Sequence, residues 1–107
     1  MRHPPVSSDL PDDAERIAAA VIAVHGVAGL HAGMFGEVAT YLPGHRVLGV
    51  RVGPDRVDVH VSLALDAPVR PTATAIQRAV AAITDLPVDV TVEDLVPVTT
   101  ASGRELQ

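Results

Sequence analysis

The chain has 107 residues and a net charge of −5, and its composition is 48% apolar, 20% charged and only 2% aromatic. This length accommodates a single small core, which excludes multidomain enzymes. The absence of cysteine excludes disulfides and thiolate chemistry, and the acidic balance excludes nucleic acid as an expected partner, because phosphate binding requires a concentrated basic surface.

The two ends of the chain lack apolar periodicity. We therefore expect a flexible leader over residues 1–11, one α+β domain over residues 12–96 and a flexible tail over residues 97–107. The longest purely apolar run, residues 17–24, is far shorter than the ~18 residues of a transmembrane helix. We expect a cytoplasmic protein with no direct membrane insertion.

The first predicted element is a helix. Asp12 followed by Glu15 resembles a capping box, and apolar residues then recur at helical spacing. The helix is expected from Asp13 to Val24.

A glycine-rich region follows this helix. Residues 27–30 are short and tolerant of the β conformation, and they predict a brief strand. Residues 37–42 predict either a second short strand or a structured loop, and we adopt the strand.

The clearest pattern in the sequence covers residues 56–65, RVDVHVSLAL. Valine and leucine occupy every second position and polar residues lie between them, which predicts a strand with one buried face and one solvated face. Residues 47–52 alternate in the same way and predict a strand upstream of it. Gly53, Pro54 and Asp55 provide turn residues that join the two strands as a hairpin.

A second helix is expected to open at Pro71 and Thr72, followed by a last strand over residues 88–93 that loses its alternation at Asp94 and Leu95. Strand, helix and strand in this order predict a right-handed crossover with parallel strands. The predicted fold is α+β, in the order α-β-(β)-β-β-α-β. It has a mixed sheet of three to five strands and two helices packed on one face.

The sequence predicts no catalytic, cofactor or metal site. Asp58, His60 and Ser62 are the residue types of a hydrolytic triad, but residues two apart on a strand lie roughly 6.6–7 Å apart, too far to converge. The five histidines show no recognised ligand spacing, so we expect no metal and no enzymatic activity.

The residues best suited to docking a partner fall into two groups. Met34, Phe35 and Tyr41 include both aromatic residues of the chain, and apolar side chains of this kind dominate binding hot spots. An alternative is that Phe35 and Tyr41 fill a thin core of valine and alanine. Three further candidates, Arg51, Asp58 and His60, belong to the solvated sheet face.

The order of elements resembles the alkaline shock protein family, the Gls-type general stress proteins of Gram-positive cell envelopes, in a short high-GC form. The resemblance covers roughly residues 14–96 and lies in VHGVAGL at 24–30, GEVATYLPG at 36–44 and the helix and strand at 75–96. The most specific positions are Gly26, Val27, Gly29, Val90, Val92 and Leu95.

The resemblance implies a non-enzymatic cytoplasmic protein that self-associates and is held near the membrane by a membrane-anchored protein partner, in connection with envelope or alkaline stress. It provides no catalytic residues. Our first hypothesis is therefore a homo-oligomeric interaction protein that needs no cofactor. The alternative is a small-ligand-binding regulatory domain with a ferredoxin-like sheet.

Overall fold

The computed structural model describes residues 9–97, with side chains from residue 13 onward, so most of the two predicted tails lies outside the described residues. In this part of the chain no helix is both long and apolar enough to cross a membrane. The sheet is mixed and both helices cover one of its faces, which confirms the predicted α+β class. The elements are α1 (Asp9–Ile22), β1 (Val27–Leu30), β2 (Ala39–Leu42), β3 (His45–Leu48), β4 (Val50–Val52), β5 (Val57–Ala64), α2 (Val69–Ala81) and β6 (Val88–Val96).

The central strand of the main sheet is β5, which has neighbours along both edges. On one edge β6 runs parallel to it, joined through α2 as the predicted crossover. On the other edge two short antiparallel strands follow one another, with β4 beside residues 57–59 and β1 beside residues 61–63. The predicted hairpin of β4 and β5 is confirmed.

The two short strands meet opposite His60, where the chain leaves the sheet and later returns. The His31 N–H donates to the His60 carbonyl at 2.9 Å, and the His60 N–H donates to the Gly49 carbonyl at 2.9 Å. Gly49 has a φ of 85°, and a Cβ there would lie 2.7 Å from the Leu30 Cβ, so glycine is required at the return. We call residues 31–49 the excursion.

The second half of the excursion is a two-stranded ribbon. Its strands, β2 and β3, pair antiparallel around a turn at Pro43 and Gly44. The Thr40 hydroxyl donates to the Val50 carbonyl at 2.6 Å and accepts from the Val52 N–H at 3.3 Å. One side chain therefore holds the ribbon against the outer edge of β4.

The core lies between the two helices and one face of the main sheet. The odd-numbered residues of β5 point into it, as the alternation predicted. All of its fully buried members are aliphatic, so they pack through shape and apolar area alone. They are Ala14, Ile17, Val21, Val50, Val57, Val59, Val61, Leu63, Ile76 and Val80.

Both helices begin earlier than predicted. α1 starts at Asp9 instead of Asp13, so the last three residues assigned to the leader belong to the helix, and α2 starts at Val69. The third residue of each helix is a proline, Pro11 in α1 and Pro71 in α2. A proline costs no helical hydrogen bond in the first turn, because N–H groups there have no intrahelical partner.

Three other boundaries also differ from the prediction. The continuous strand expected over residues 47–52 is two strands, because the positive φ of Gly49 turns the chain between them. The strand expected over residues 37–42 begins at Ala39. α1 ends two residues before the predicted Val24.

The last strand is irregular where its sequence loses alternation. Pairing with β5 passes from Val92 to Asp94, which leaves Glu93 as an extra residue in a bulge. The predicted loss of alternation at Asp94 is therefore a bulge within the strand, and the strand continues to Val96 instead of ending at residue 93.

Candidate functional site

The sheet face opposite the helices, here called the open face, carries basic and acidic side chains in pairs. Each pair joins two neighbouring strands or their ends. The pairs and their nitrogen to oxygen distances are Arg51 with Asp58 (3.7 Å), Arg56 with Asp89 (2.6 Å) and His60 with Glu93 (2.5 Å).

The His60 side chain is less accessible than the sequence predicted. It is 17% exposed and its partner Glu93 is 22% exposed, whereas the prediction placed His60 on a fully solvated face. His60 lies on the central strand, between β6 and the junction of β1 and β4, and its ring contacts Glu93 of β6. Arg51 remains accessible at 49%, and Asp58 at 25% is half-buried.

The open face does not assemble the groups of a hydrolytic triad. Within residues 9–97, none of the side-chain hydrogen bonds joins any two of Asp58, His60 and Ser62, and His60 is bound to Glu93 instead. Across the same residues, no group of three or more His, Asp or Glu side chains is placed to hold a metal ion.

A second candidate site is the loop that opens the excursion. Met34 and Phe35, here called the tip, are 81% and 87% exposed. Although the tip packs against little, hydrogen bonds within the loop define its backbone. They run from the Gly33 N–H to His31 Nδ1 (3.0 Å), from the Phe35 N–H to Glu37 Oε1 (3.0 Å), from the Gly36 N–H to the Gly33 carbonyl (3.2 Å) and from the Val38 N–H to the Ala32 carbonyl (2.8 Å).

Glu37 links the loop to the open face. Hydrogen bonds from its own backbone N–H and from the Phe35 N–H lower the pKa of its carboxyl below the ordinary value of 4.5, and the nearby His60 and Arg51 act in the same direction. Gly33, with a φ of 89°, leaves the room for this carboxylate, because a Cβ there would lie 2.7 Å from Glu37 Oε2. The ionised form of Glu37 therefore stabilises the loop.

The ribbon presents a third exposed apolar residue. Tyr41 is 69% exposed and lies opposite Arg46 on the outer side of the ribbon. At the ribbon's turn, His45 Nε2 lies 2.8 Å from Glu15 of α1. Since Phe35 and Tyr41 are both exposed, the alternative that they fill the core is wrong.

The predicted docking residues thus fall into two adjoining places. Met34, Phe35 and Tyr41 belong to the excursion, whereas Arg51, Asp58 and His60 belong to the open face. Sequence reasoning missed the residues that shape the loop, His31 and Glu37. The spacing of Gly33 and Gly36 was the only available signal, and it indicated turns without indicating which side chains would bond to them.

A cleft of about 730 Å³ opens at the end of the main sheet where β1 begins and where β5 and β6 end. No motif predicted it, because its lining comes from segments far apart in the sequence. Most of the wall is apolar and two titratable side chains join it. The main contributors are Val27, Ala28, Ala67 and Val96, with His25 and Asp66.

Comparison with known proteins gives information about the fold alone. No family model matches the chain. No curated protein matches it either. Among solved structures, a tryptophan-to-alanine variant of the MamM CTD is similar, with a TM-score of 0.53 and 20% sequence identity over 90% of this chain and 88% of that chain. Its fold resembles that of this chain over nearly the whole length.

Proposed function

We propose that this chain is a non-enzymatic interaction protein that self-associates. The observation that supports this proposal is the exposed tip and Tyr41, which place both aromatic residues of the chain on the surface while the core is purely aliphatic. Exposed aromatic and methionine side chains that contribute little to folding are typical of binding hot spots.

The loop geometry supports the same proposal. Glycines with positive φ and a carboxylate with a lowered pKa hold the backbone of a segment whose side chains are mostly in water. A preorganised loop loses less conformational entropy on binding than a mobile one, so its apolar side chains contribute more to affinity. Such an arrangement favours recognition over a role in packing.

Sedimentation equilibrium of the full chain across a dilution series tests self-association. We expect a mass above the 11.1 kDa monomer at micromolar concentration, with dissociation on dilution. A constant mass of 11.1 kDa at every concentration would contradict the proposal.

A more specific proposal follows from the sequence resemblance to the alkaline shock family. On that basis the protein acts in envelope or alkaline stress and is held near the membrane by a membrane-anchored protein partner. An epitope-tagged copy in the host should then co-sediment with membranes, become more abundant after an alkaline shift and be released when membrane proteins are digested. Recovery in the soluble fraction at every pH, with constant abundance, would contradict the stress role.

The alternative function, a small-ligand-binding regulatory domain, is favoured by one observation, the cleft beside His25 and Asp66. Its volume of about 730 Å³ falls within the range of small-molecule sites. A ligand that binds the folded state must raise its melting temperature, so a thermal-shift screen of metabolites tests this function. A hit whose shift is abolished by Ala28→Arg would locate the ligand in the cleft.

A further inference from the structure

The tip and the cleft lie at opposite ends of the same short strand. The cleft wall includes Val27 and Ala28, where β1 begins, and the tip follows closely after Leu30, where β1 ends. A strand advances about 3.3 Å per residue, so the four residues of β1 span roughly 10 Å along the sheet edge. The cleft therefore borders one end of this short edge strand, and the loop that carries the tip leaves its other end.

We propose that two copies of this chain associate about a twofold axis beside β1, and that each inserts Met34 and Phe35 into the cleft of the other. This inference rests on the proposed self-association and names its interface. A twofold axis perpendicular to a strand reverses the strand's direction, so the end of one β1 lies beside the start of the other. Both tips then reach both clefts in one closed, isologous contact.

The chemistry of the two surfaces is complementary. The tip consists of two apolar side chains, and the cleft wall is mostly apolar, with Val27, Ala28, Ala67 and Val96. A volume of about 730 Å³ accommodates both tip residues. Gly29, in the middle of β1, has nothing within 4 Å of the position of a Cβ, so the surface between the two features is open to a second copy.

The two reciprocal insertions account for about half of the area that a stable dimer buries. Burying Phe35 removes roughly 150–250 Å² from water, and the cleft wall that receives it loses a similar area. Reciprocal insertion doubles the sum to roughly 600–1,000 Å² from the two phenylalanines and their clefts alone. Specific interfaces bury about 1,200–2,000 Å², so the proposal requires Met34 and the β1 edge to contribute the remainder.

The opposite edge of the sheet is unsuited to pairing with a copy of itself. β6 carries Asp89, Glu93 and Asp94 and has no basic residue, so antiparallel self-pairing would bring carboxylates together. β6 contains the bulge at Glu93 and β1 has a register shift between Val27 and Gly29, so it is the charge of β6 that distinguishes the two edges. The edge formed by β1 has neither a charged side chain nor this like-charge repulsion.

Sedimentation equilibrium of Phe35→Ser tests the tip. Loss of a hot-spot residue at two symmetric positions should raise the dimer dissociation constant at least about 30-fold. Leu95→Ser is the matched control, because it removes an exposed apolar side chain from β6, on the opposite edge of the sheet, and should change the dissociation constant less than about threefold.

Cysteine cross-linking tests the contact between tip and cleft directly. The chain contains no cysteine, so one copy with Phe35→Cys can be mixed with a differently tagged copy with Ala28→Cys. Under mild oxidation we expect a disulfide between the two chains, because insertion brings these positions within reach. The same mixture with Tyr41→Cys in place of Phe35→Cys should remain uncross-linked.

The outcomes separate the interface from self-association itself. If the unmodified chain dimerises but Phe35→Ser leaves the dissociation constant unchanged and no disulfide forms, the interface is wrong and self-association stands. If the unmodified chain stays at 11.1 kDa, both proposals are overturned. A third outcome is that the disulfide between Ala28→Cys and Phe35→Cys forms only after residues 98–107 are removed. Those residues would then occupy the cleft of the full chain, and the interface would also be overturned.

Discussion

The helix-covered face of the main sheet and the excursion use their side chains in opposite ways. On the covered face, Val57, Val59, Val61 and Leu63 are completely buried and pack in an aliphatic cluster. On the excursion, the largest side chains are in water, and the chain is held by hydrogen bonds that join backbone groups to the Thr40 hydroxyl and the Glu37 carboxylate. Burial stabilises the first region, and hydrogen bonding shapes the second.

This difference shows that the chain builds its core without its two aromatic residues. An aliphatic core needs no aromatic residue to reach complete burial of its members, which leaves Phe35 and Tyr41 free for the surface. The excursion contributes little apolar area to the core, with Val38 and Ala39 as its buried members, so its tip can change without loss of packing. The effects of mutations on the free energy of unfolding should therefore differ sharply between the two regions.

The largest expected effect comes from a charge placed on the covered face. Val59 is 0% exposed, so Val59→Asp would bury a carboxylate without a partner and should cost more than about 4 kcal/mol, enough to unfold the domain. His60→Ala, one residue away on the open face, removes a contact with Glu93 and should cost about 1 kcal/mol or less. Equal stability of the two variants in circular dichroism melts would contradict the assignment of the faces.

The junction between the two regions should be the next most sensitive place. Gly49→Ala combines a positive φ with a Cβ only 2.7 Å from Leu30, and it should lower the free energy of unfolding by about 3 kcal/mol. Gly44→Ala at the ribbon turn is the control, since its φ is also positive but nothing lies near its Cβ, and it should cost about 1 kcal/mol. Urea unfolding measures both, and similar losses would show that the close approach at Gly49 does not constrain the fold.

A smaller effect should accompany truncation of the tip. At concentrations low enough for the monomer to prevail, Phe35→Ser should change the free energy of unfolding by less than about 0.5 kcal/mol, because the side chain is 87% exposed. Ile76→Ala in the core should cost about 2–5 kcal/mol. Urea unfolding of dilute protein compares them, and a large loss for Phe35→Ser would mean that the tip belongs to the core after all.

The smallest expected effect is a local response of the loop to pH. Because its folded-state pKa is lowered, ionised Glu37 stabilises the loop above about pH 4.5, and this contribution disappears as the pH falls through the lowered value. The amide proton resonance of Phe35 should therefore shift with a midpoint below 4.5. In Glu37→Gln this titration should be absent, and a midpoint at or above 4.5 in the unmodified chain would contradict the hydrogen-bonded geometry.

The sheet was predictable because its strands repeat a simple pattern. Apolar and polar residues alternate along 57–63 and 88–92, and this period of two determines which side chains are buried. The loss of alternation that the sequence shows at Asp94 coincides with the bulge at Glu93. Turn residues at 53–55 predicted the hairpin correctly, with the Gly53 N–H bonded to the Arg56 carbonyl at 2.9 Å.

The excursion was much less predictable, because its structure depends on single residues instead of a period. The sequence around Gly49 continues the alternation of its neighbours, and nothing in that pattern indicates a positive φ. The bonds that His31 and Glu37 make to backbone N–H groups two residues away leave no periodic trace. The cleft was beyond sequence reasoning for another reason, since Ala28, Ala67 and Val96 meet only in the folded chain.

The junction at His60 allows the excursion to be replaced without a change in the main sheet. β1 and β4 run in the same direction along β5. The one position between them, opposite His60, is shared by two residues: the His31 N–H bonds to the His60 carbonyl, and the Gly49 carbonyl accepts from the His60 N–H. A chain lacking residues 32–49 would pass from His31 to Val50 as one uninterrupted strand. The length and sequence of this insert can therefore change while the main sheet keeps its register.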